Sequence, residues 1–268
     1  MNHTRGMEIG ECTALVTGGA HRVGKAIAIG LAQKGAAVGV NYHSSSAAAD
    51  ETVKELRAVG AKAIALQGDV ANPAEVDAMV TRLADEFGPV DILVNSASAF
   101  ATDQFPTDDM TVWHKTFDVI VHGAFHCANA VSPSMLDRGR GAIINIVDLS
   151  AWQPWPGRGA HSVAKAALLA FTRQLAVELA PSVRANAVAL GPTIPPTRFG
   201  PEQVQRLSDR TLLGQWAGGE SVGHAVQYLA EADSVTGICL TVDGGEQYGH
   251  VRERFDDTAT TRQKPVTD

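Results

Sequence analysis

Cysteine is scarce in this chain, and the three residues present, Cys12, Cys127 and Cys239, are widely spaced. They form no CxxC pair and no zinc-binding spacing, which argues against a disulfide framework and predicts no metal site. Each lies in an apolar stretch, so we expect buried, reduced thiols. Reduced thiols are typical of the cytoplasm, where we expect the protein to act.

Positive charge is also in short supply, because 22 lysines and arginines stand against 29 aspartates and glutamates, for a net charge of −7. We therefore expect no nucleic-acid partner, since binding nucleic acid requires a broad basic surface. The chain contains no run of about 18 apolar residues, and its polar start lacks the apolar centre of a signal peptide. We expect no membrane partner.

The chain has no internal repeat and no linker that divides it, and its 268 residues suit one large α/β domain. With 45% hydrophobic and 19% charged residues, it has the composition of a folded protein. We assign residues 1–11 to a flexible N-terminus and residues 12–250 to a single domain. The polar residues 251–268 are expected to form a mobile tail.

Short apolar segments alternate with segments of helical periodicity along most of the chain. Strands are predicted at Thr13–Thr17, Ala37–Tyr42, Lys62–Gln67, Ile92–Asn95, Ala142–Val147, Arg184–Ala189 and Ile238–Val242. Helices are predicted at Val23–Lys34, Ala47–Val59, Pro73–Phe87, Met110–Asp137, His161–Leu179 and Ser221–Glu231. This alternation predicts a single-domain Rossmann-type α/β fold, a doubly wound parallel sheet with helices on both faces. The segment Gly191–Gly214, with four prolines, is expected to be an irregular lid.

A glycine-containing loop, residues 17–24 (TGGAHRVG), follows the first predicted strand and opens the first helix. Glycine lets the backbone approach a ligand closely, and the free N–H groups of a helix N-terminus suit a pyrophosphate. This placement predicts a dinucleotide site, and a plain strand-to-helix turn is the alternative.

The second predicted strand ends without an acidic residue, in the sequence NYHSSS of residues 41–46. An acid there would bind the ribose 2′-hydroxyl of NAD, and it would repel the 2′-phosphate of NADP. His43, Ser44 and Ser45 can donate hydrogen bonds to that phosphate, and Arg22 can pair with it. We therefore predict NADP(H) as the cofactor, with a solvated turn and helix cap as the alternative.

Several motifs, in order and spacing, resemble the short-chain dehydrogenase/reductase family over residues 12–248. Asp69 and Val70 resemble the pair that holds adenine, residues 94–97 (VNSA) the turn after strand four, and residues 190–193 (LGPT) the segment that leads to the nicotinamide. The resemblance implies a dinucleotide-binding reductase domain in which Lys165 holds the nicotinamide ribose. Together with the glycine loop and the end of strand two, it predicts cofactor contacts from Gly18, His21, Arg22, Val23, Gly24, His43, Ser44, Ser45, Asp69, Val70, Asn95, Ser96, Ala97, Ser98, Lys165, Gly191, Thr193 and Ile194.

Three residues are similar to those of pteridine reductase-like members of that family. Arg22 replaces the second loop glycine, Phe100 stands where an aromatic ring stacks on a pterin, and Asp148 occupies the place of the catalytic serine. The resemblance implies an NADP(H)-dependent oxidoreductase that transfers hydride to a carbonyl or imine carbon of a pterin-like or other cyclic small molecule. It also implies that Phe100, Trp152 and Trp155 line the substrate pocket.

The catalytic positions themselves are altered. The family's tyrosine and lysine, four residues apart on one helical face, correspond to His161 and Lys165, and Ile120 replaces the usual asparagine. Histidine titrates near neutrality and can carry a proton. We therefore expect Asp148, His161 and Lys165 to form the catalytic set.

Two other functions remain open from the sequence. The missing tyrosine and Ile120 favour a non-catalytic or regulatory dinucleotide-binding protein, whereas Asp148 with His161 also suits a lyase or isomerase without net redox chemistry. We expect a small-molecule substrate and a homo-oligomer, a tetramer or dimer. The reason is that Met110–Asp137 and His161–Leu179 carry more apolar residues than one buried face requires, including Ala164 and Leu168.

Overall fold

The computed structural model describes residues 7–249, in which seven parallel strands form one sheet in the order β3-β2-β1-β4-β5-β6-β7. The strands are β1 Thr13–Val16, β2 Ala37–Tyr42, β3 Ala63–Gln67, β4 Ile92–Asn95, β5 Gly141–Asp148, β6 Val183–Leu190 and β7 Cys239–Val242. The order reverses between β1 and β4, which is where a doubly wound sheet opens a ligand crevice at its carboxyl edge. The predicted fold class is confirmed.

Eight α-helices connect and cover the strands within the described residues. They are α1 Arg22–Gln33, α2 Ser46–Ala58, α3 Pro73–Phe87, α4 Thr111–Phe117, α5 Gly123–Asp137, α6 Gly159–Glu178, α7 Pro201–Ser208 and α8 Gly218–Glu231. One face of the sheet packs against α1, α2 and α8, and the other against α3, α5 and α6. Because both faces are covered, the strands are apolar along their length, as the sequence shows. In the part of the chain that the structure describes, no helix is long and apolar enough to cross a bilayer.

The helix expected at Met110–Asp137 is interrupted. A π-helical turn, Asp118–His122, separates α4 from α5, and it places the Ile120 side chain in the core. One extra residue in a turn does not disturb the apolar periodicity enough to be read from sequence, and such turns are frequent at functional sites. The segment Gly191–Gly214 is also more regular than expected, because it contains α7.

The ordered domain starts before residue 12. Residues Ile9–Glu11 form a 3-10 turn, and Ile9 packs into the core, so the flexible N-terminus expected over residues 1–11 does not extend this far. The reason is the apolar side chain of Ile9, whose burial in the core near α8 is favourable. The tail expected at 251–268 lies outside the described residues.

The cysteine prediction is confirmed at two positions of three. Burial raises the pKa of Cys12 to about 11 and that of Cys127 to about 12, so both thiols stay protonated and unreactive at neutral pH. Cys239 is only half-buried, because β7 is the edge strand of the sheet and its residues are all partly exposed.

Candidate active site

The glycine loop between β1 and α1 has room for backbone only. Gly18 has φ +60°, and a Cβ on it would lie 3.0 Å from the Cα of Ala97. A Cβ on Gly24 would lie 2.2 Å from the carbonyl oxygen of Gly18. Arg22 has φ +46°, a left-handed conformation that L side chains adopt at a cost, at the place where the resembling family has glycine.

Two polar side chains that the sequence analysis missed hold this loop in place. The Asn41 amide oxygen accepts a hydrogen bond from the Gly18 N–H at 3.1 Å, and its amide nitrogen donates to the Gly68 carbonyl at 2.9 Å. The Thr17 hydroxyl accepts from the N–H groups of Ser96 and Ala97 at 2.9 and 3.0 Å. Buried polar residues at strand ends are the signal that identifies such anchors, since they must find partners.

A cleft of about 600 Å³ opens at the carboxyl edge of the sheet, beside this loop. Six predicted cofactor contacts line it together, namely Gly18, His43, Asp69, Val70, Ala97 and Ser98. The cleft runs from the end of β2 to Phe100. The glycine positions that tolerate no Cβ lie where a pyrophosphate would pass, so the residues present fit the predicted cofactor.

At the end of β2, His43 is largely exposed, and its Nε2 lies 3.9 Å from the Asp69 carboxylate. Ser44 and Ser45 follow it before α2. Arg22 does not join this group, because its guanidinium donates to the Ile194 carbonyl oxygen at 2.7 Å. The expected pairing of Arg22 with a 2′-phosphate is therefore replaced by a contact with the lid segment.

Other predicted cofactor residues occupy three different environments. His21 and Val23 flank the start of α1, where His21 is exposed and Val23 is half-buried. Asn95 is buried, and its amide nitrogen donates to Asn145 at 2.9 Å. It lines a small pocket that shares Val70 and Ala97 with the cleft. In the lid segment, a Cβ on Gly191 would lie 2.6 Å from that of Asp243, and Thr193 is buried.

The structure brings the three predicted catalytic side chains together. Asp148 ends β5, whereas His161 and Lys165 lie one turn apart on α6. Nε2 of His161 lies 2.7 Å from Oδ2 of Asp148, and its Nδ1 lies 3.2 Å from the carbonyl oxygen of Ala99. The other Asp148 oxygen accepts from the N–H and the hydroxyl of Ser150.

The neighbours of Asp148 favour the charged form of its carboxylate. Burial alone would raise the pKa of Asp148, but the hydrogen bond from His161 and the charge of Lys165 outweigh burial, so the pKa lies below its usual value. Asp148 is therefore an acceptor only. The Ala99 carbonyl is also only an acceptor, so the His161 ring lies between two oxygen acceptors, one at each ring nitrogen.

Lys165 is buried behind the pair. Its Nζ donates to the Ile146 carbonyl oxygen at 2.8 Å. Burial lowers the pKa of Lys165, and the negative charge of Asp148 opposes that shift. Lys165 thus places its amine next to the Asp148 carboxylate, at the carboxyl edge of the sheet.

Aromatic rings surround His161. The Phe100 ring meets it edge-on at 4.8 Å between centroids, and the Trp155 ring lies parallel to it at 6.1 Å. Trp152 is about half exposed and makes no ring contact with this group among the described residues. Two of the three predicted substrate residues therefore join the site, and together they form an apolar wall beside the proton.

Asp103 is a further residue that the sequence analysis did not identify. Its carboxylate accepts from the Gly159 N–H at 2.7 Å and from the Ala160 N–H, the first two amides of α6. A carboxylate stabilises a helix N-terminus, and here it ties the loop after β4 to the helix that carries His161. The contact spans 56 positions, so no local pattern indicates it.

Within residues 7–249, no group of three His, Cys, Asp or Glu side chains is placed to hold a metal ion.

Comparison with known proteins places the chain among reductases and dehydrogenases. The model of the short chain dehydrogenase family matches residues 12–203. A 3-oxoacyl-(acyl-carrier-protein) reductase of Synechocystis sp. is 38% identical over 241 residues, which cover 87% of this chain and 95% of that protein. An L-rhamnose 1-dehydrogenase (NAD(P)(+)) of Sphingomonas sp. is 32% identical, with 87% and 95% covered.

Two solved structures that hold NADP are similar throughout. FolM alternative dihydrofolate reductase 1 of Brucella suis, in complex with NADP, has a TM-score of 0.84 and 32% identity, covering 90% of this chain and 96% of that one. A gluconate 5-dehydrogenase of Burkholderia cenocepacia, in complex with NADP and tartrate, has a TM-score of 0.81 and 30% identity, with 88% and 95% covered.

Proposed function

The chain belongs to the short-chain dehydrogenase family, a family of oxidoreductases that use a nicotinamide dinucleotide, and from this premise we propose that it is an NADP(H)-dependent reductase of a carbonyl or imine group in a small cyclic molecule. The predicted cofactor agrees with the NADP found in both solved neighbours. Reduction of a carbonyl agrees with the 3-oxoacyl reductase among the relatives.

The observation that carries the proposal is the hydrogen-bonded pair of Asp148 and His161, which lies next to Phe100, a residue that lines the cleft. It stands next to Lys165, at the positions where the family places its serine, tyrosine and lysine, and it holds a proton that can be transferred. The pair therefore replaces the missing tyrosine by another acid. This assignment of unusual catalytic residues is part of the proposal.

Reduction of a carbonyl requires a hydride at carbon and a proton at oxygen, and the bound NADPH supplies the hydride. The residues of the chain do the rest. The side chain of Asp148 is 15% exposed and that of His161 is 3% exposed, so Asp148 is the more accessible member of the pair. Asp148 and His161 together deliver the proton, directly or through water, and Lys165 holds the nicotinamide ribose and stabilises the carboxylate.

A flat ring is the substrate shape that the pocket wall favours, because Phe100 and Trp155 offer aromatic faces beside His161. This wall, Asp148 and Arg22 are the features similar to pteridine reductase-like members, and the structural neighbour FolM is named a dihydrofolate reductase, whose substrate carries a pterin ring. We therefore place a pterin-like ring first among the substrates to try.

The proposal is tested by following NADPH oxidation at 340 nm with a panel of dihydropterins, quinones, cyclic ketones and 3-oxoacyl thioesters. Turnover of at least one compound, lost in Asp148→Asn, is the expected result. If the protein binds NADPH and turns over nothing, the regulatory alternative gains support from Ile120 and the missing tyrosine. Conversion of a substrate without NADPH consumption would indicate the lyase or isomerase alternative.

The end of β2 predicts that the protein binds NADPH more tightly than NADH. Ser44→Asp places a negative charge where the 2′-phosphate is expected, so NADPH should bind roughly tenfold to 100-fold more weakly while NADH changes little. Arg22→Ala is the comparison, because Arg22 bonds to Ile194 and its loss should weaken both cofactors alike. Fluorescence titration with each cofactor measures the ratio, and equal affinities in the parent protein would contradict the prediction.

The homo-oligomer also remains a prediction, but the structure changes the residues on which it rests. Ala164 and Leu168 are buried in the core and are not available to a second copy. The outer face of α5 and α6 instead exposes Phe125 and Val177, with Phe125 packed against Phe171.

We expect Phe125→Glu to shift the protein toward a smaller species, because a buried carboxylate in an apolar interface is strongly unfavourable. Light scattering at micromolar concentration measures the mass. Val59→Glu is a matched control, since Val59 is as exposed but lies after α2, away from that face. A monomeric parent protein would refute the oligomer, and an unchanged mass in Phe125→Glu would place the interface elsewhere.

Two points stay predictions from the sequence, namely the domain boundary at residue 250 and the cytoplasmic location.

A further inference from the structure

A positive charge with no acidic partner among residues 7–249 stands beside Phe100, which lines the cleft. The guanidinium of Arg158 lies over the Phe100 ring, with Cζ 4.2 Å from the ring centroid. Arg158 is half-buried and immediately precedes α6, three residues before His161. Among residues 7–249, no carboxylate lies within ion-pair distance of this guanidinium.

The two acids that are tied to the same elements are already engaged. Asp103 accepts hydrogen bonds from the first two amides of α6. Asp148 accepts from His161 and from Ser150. Neither carboxylate is left to neutralise Arg158, so its partner is not supplied by the described part of the chain.

We propose that Arg158 binds a carboxylate group of the substrate, while the substrate ring packs against Phe100 and Trp155. This inference rests on the proposed function and narrows it to ring compounds that carry a negative charge. A guanidinium stacked on an aromatic face keeps its edge free, and that edge matches the two oxygens of a carboxylate. The stacking also orders the side chain beforehand, which reduces the entropy lost on binding.

The geometry relates the anion to the reacting group. Phe100 contacts both Arg158, whose Cζ lies 4.2 Å from the ring centroid, and His161, whose ring centroid lies 4.8 Å away, so the cation and His161 both contact the same aromatic ring. A ring substrate with its carbonyl toward His161 therefore directs a substituent on its opposite side toward Arg158. We expect charge at that substituent to control which ring compounds are reduced.

Two probes of the same shape test this, 4-formylbenzoate and 4-formylbenzamide, which differ only in the charge of the group opposite the aldehyde. We expect the parent protein to prefer the benzoate by roughly tenfold in kcat/KM, the value of one charge-assisted contact. Arg158→Gln should bring this ratio close to one, and Arg158→Lys should restore part of it, because lysine keeps the charge and loses the fork. The exposed Arg82 of α3 gives the control Arg82→Gln, which should keep the parent ratio.

A second measurement does not depend on turnover. Terephthalate and terephthalamide cannot be reduced as aldehydes, and their binding is followed by tryptophan fluorescence, since Trp155 lies 6.3 Å from Phe100. If no aldehyde is reduced, but terephthalate binds better than terephthalamide in the parent protein and not in Arg158→Gln, the proposed reductase function fails and the anion site stands. If Arg158→Gln leaves both the kinetic ratio and this binding difference unchanged, Arg158 only packs on Phe100 and the inference is overturned.

Discussion

Replacing His161 with phenylalanine is expected to reduce turnover by roughly 10²–10⁴, the usual contribution of a placed proton donor, while cofactor binding persists. The two rings are similar in size, so the aromatic cluster with Phe100 and Trp155 can remain. What is lost is the pair of ring nitrogens that contact the Asp148 carboxylate and the Ala99 carbonyl oxygen. Stopped-flow measurement of the hydride-transfer step, with any substrate that the parent reduces, gives the effect directly.

His161→Phe also leaves the Asp148 carboxylate without its main partner, so a loss of folding must be separated from a loss of chemistry. His161→Gln is the matched variant, because an amide nitrogen can still donate to Asp148 but carries no titratable proton. We expect slow turnover in both variants. In His161→Gln, the NADPH affinity and the melting temperature should stay close to those of the parent protein. His161→Tyr recreates the family's pair with Lys165 and should regain activity relative to phenylalanine.

His161→Phe and Asp148→Asn together distinguish between the two candidate acids. If His161→Phe is as fast as the parent while Asp148→Asn is inactive, Asp148 is the acid and His161 only lines the pocket. If both variants are as fast as the parent, the reaction centre lies elsewhere.

Gly24→Ala is expected to weaken cofactor binding by roughly 100-fold, about 3 kcal/mol, because the loop must move away from its position and lose one or two hydrogen bonds to a charged pyrophosphate. The added Cβ would lie 2.2 Å from the Gly18 carbonyl oxygen, which belongs to the backbone and has no rotamer to adopt. Isothermal titration with NADPH measures the loss, and the intact sheet should keep the protein folded.

The matched control is Gly200→Ala, at a position where φ is −77° and an added Cβ meets nothing within 4 Å. That variant should bind NADPH as the parent does. Parent-like affinity in Gly24→Ala would show that the loop does not cradle the pyrophosphate. The prediction concerns binding alone, so it holds whether or not the protein proves to be a reductase.

The sheet and the glycine loop were predictable because both follow from local patterns. Seven apolar segments separated by helical periodicity leave one parallel arrangement, since right-handed crossovers cover both faces. Asp148, His161 and Lys165 were identified from the resemblance to the short-chain dehydrogenase family, and the structure places the end of β5 beside the helix that carries His161 and Lys165. Boundaries shifted by a few residues, as at α8, where helix ends have no strong sequence signal.

The amino-acid sequence by itself determined the fold class, the loop that fits a dinucleotide and the spacing that puts His161 and Lys165 one turn apart on one helix. Only the tertiary structure decided that Arg22 bonds to the lid, that Asn95 is buried, that Asp103 caps α6 and that Arg158 lies over Phe100 with no ion-pair partner among the described residues. The physical reason is range: periodicity and spacing describe neighbours along the chain. A side chain's hydrogen-bond partner depends instead on which distant loop packs beside it, as with Arg22 and a carbonyl 172 positions away.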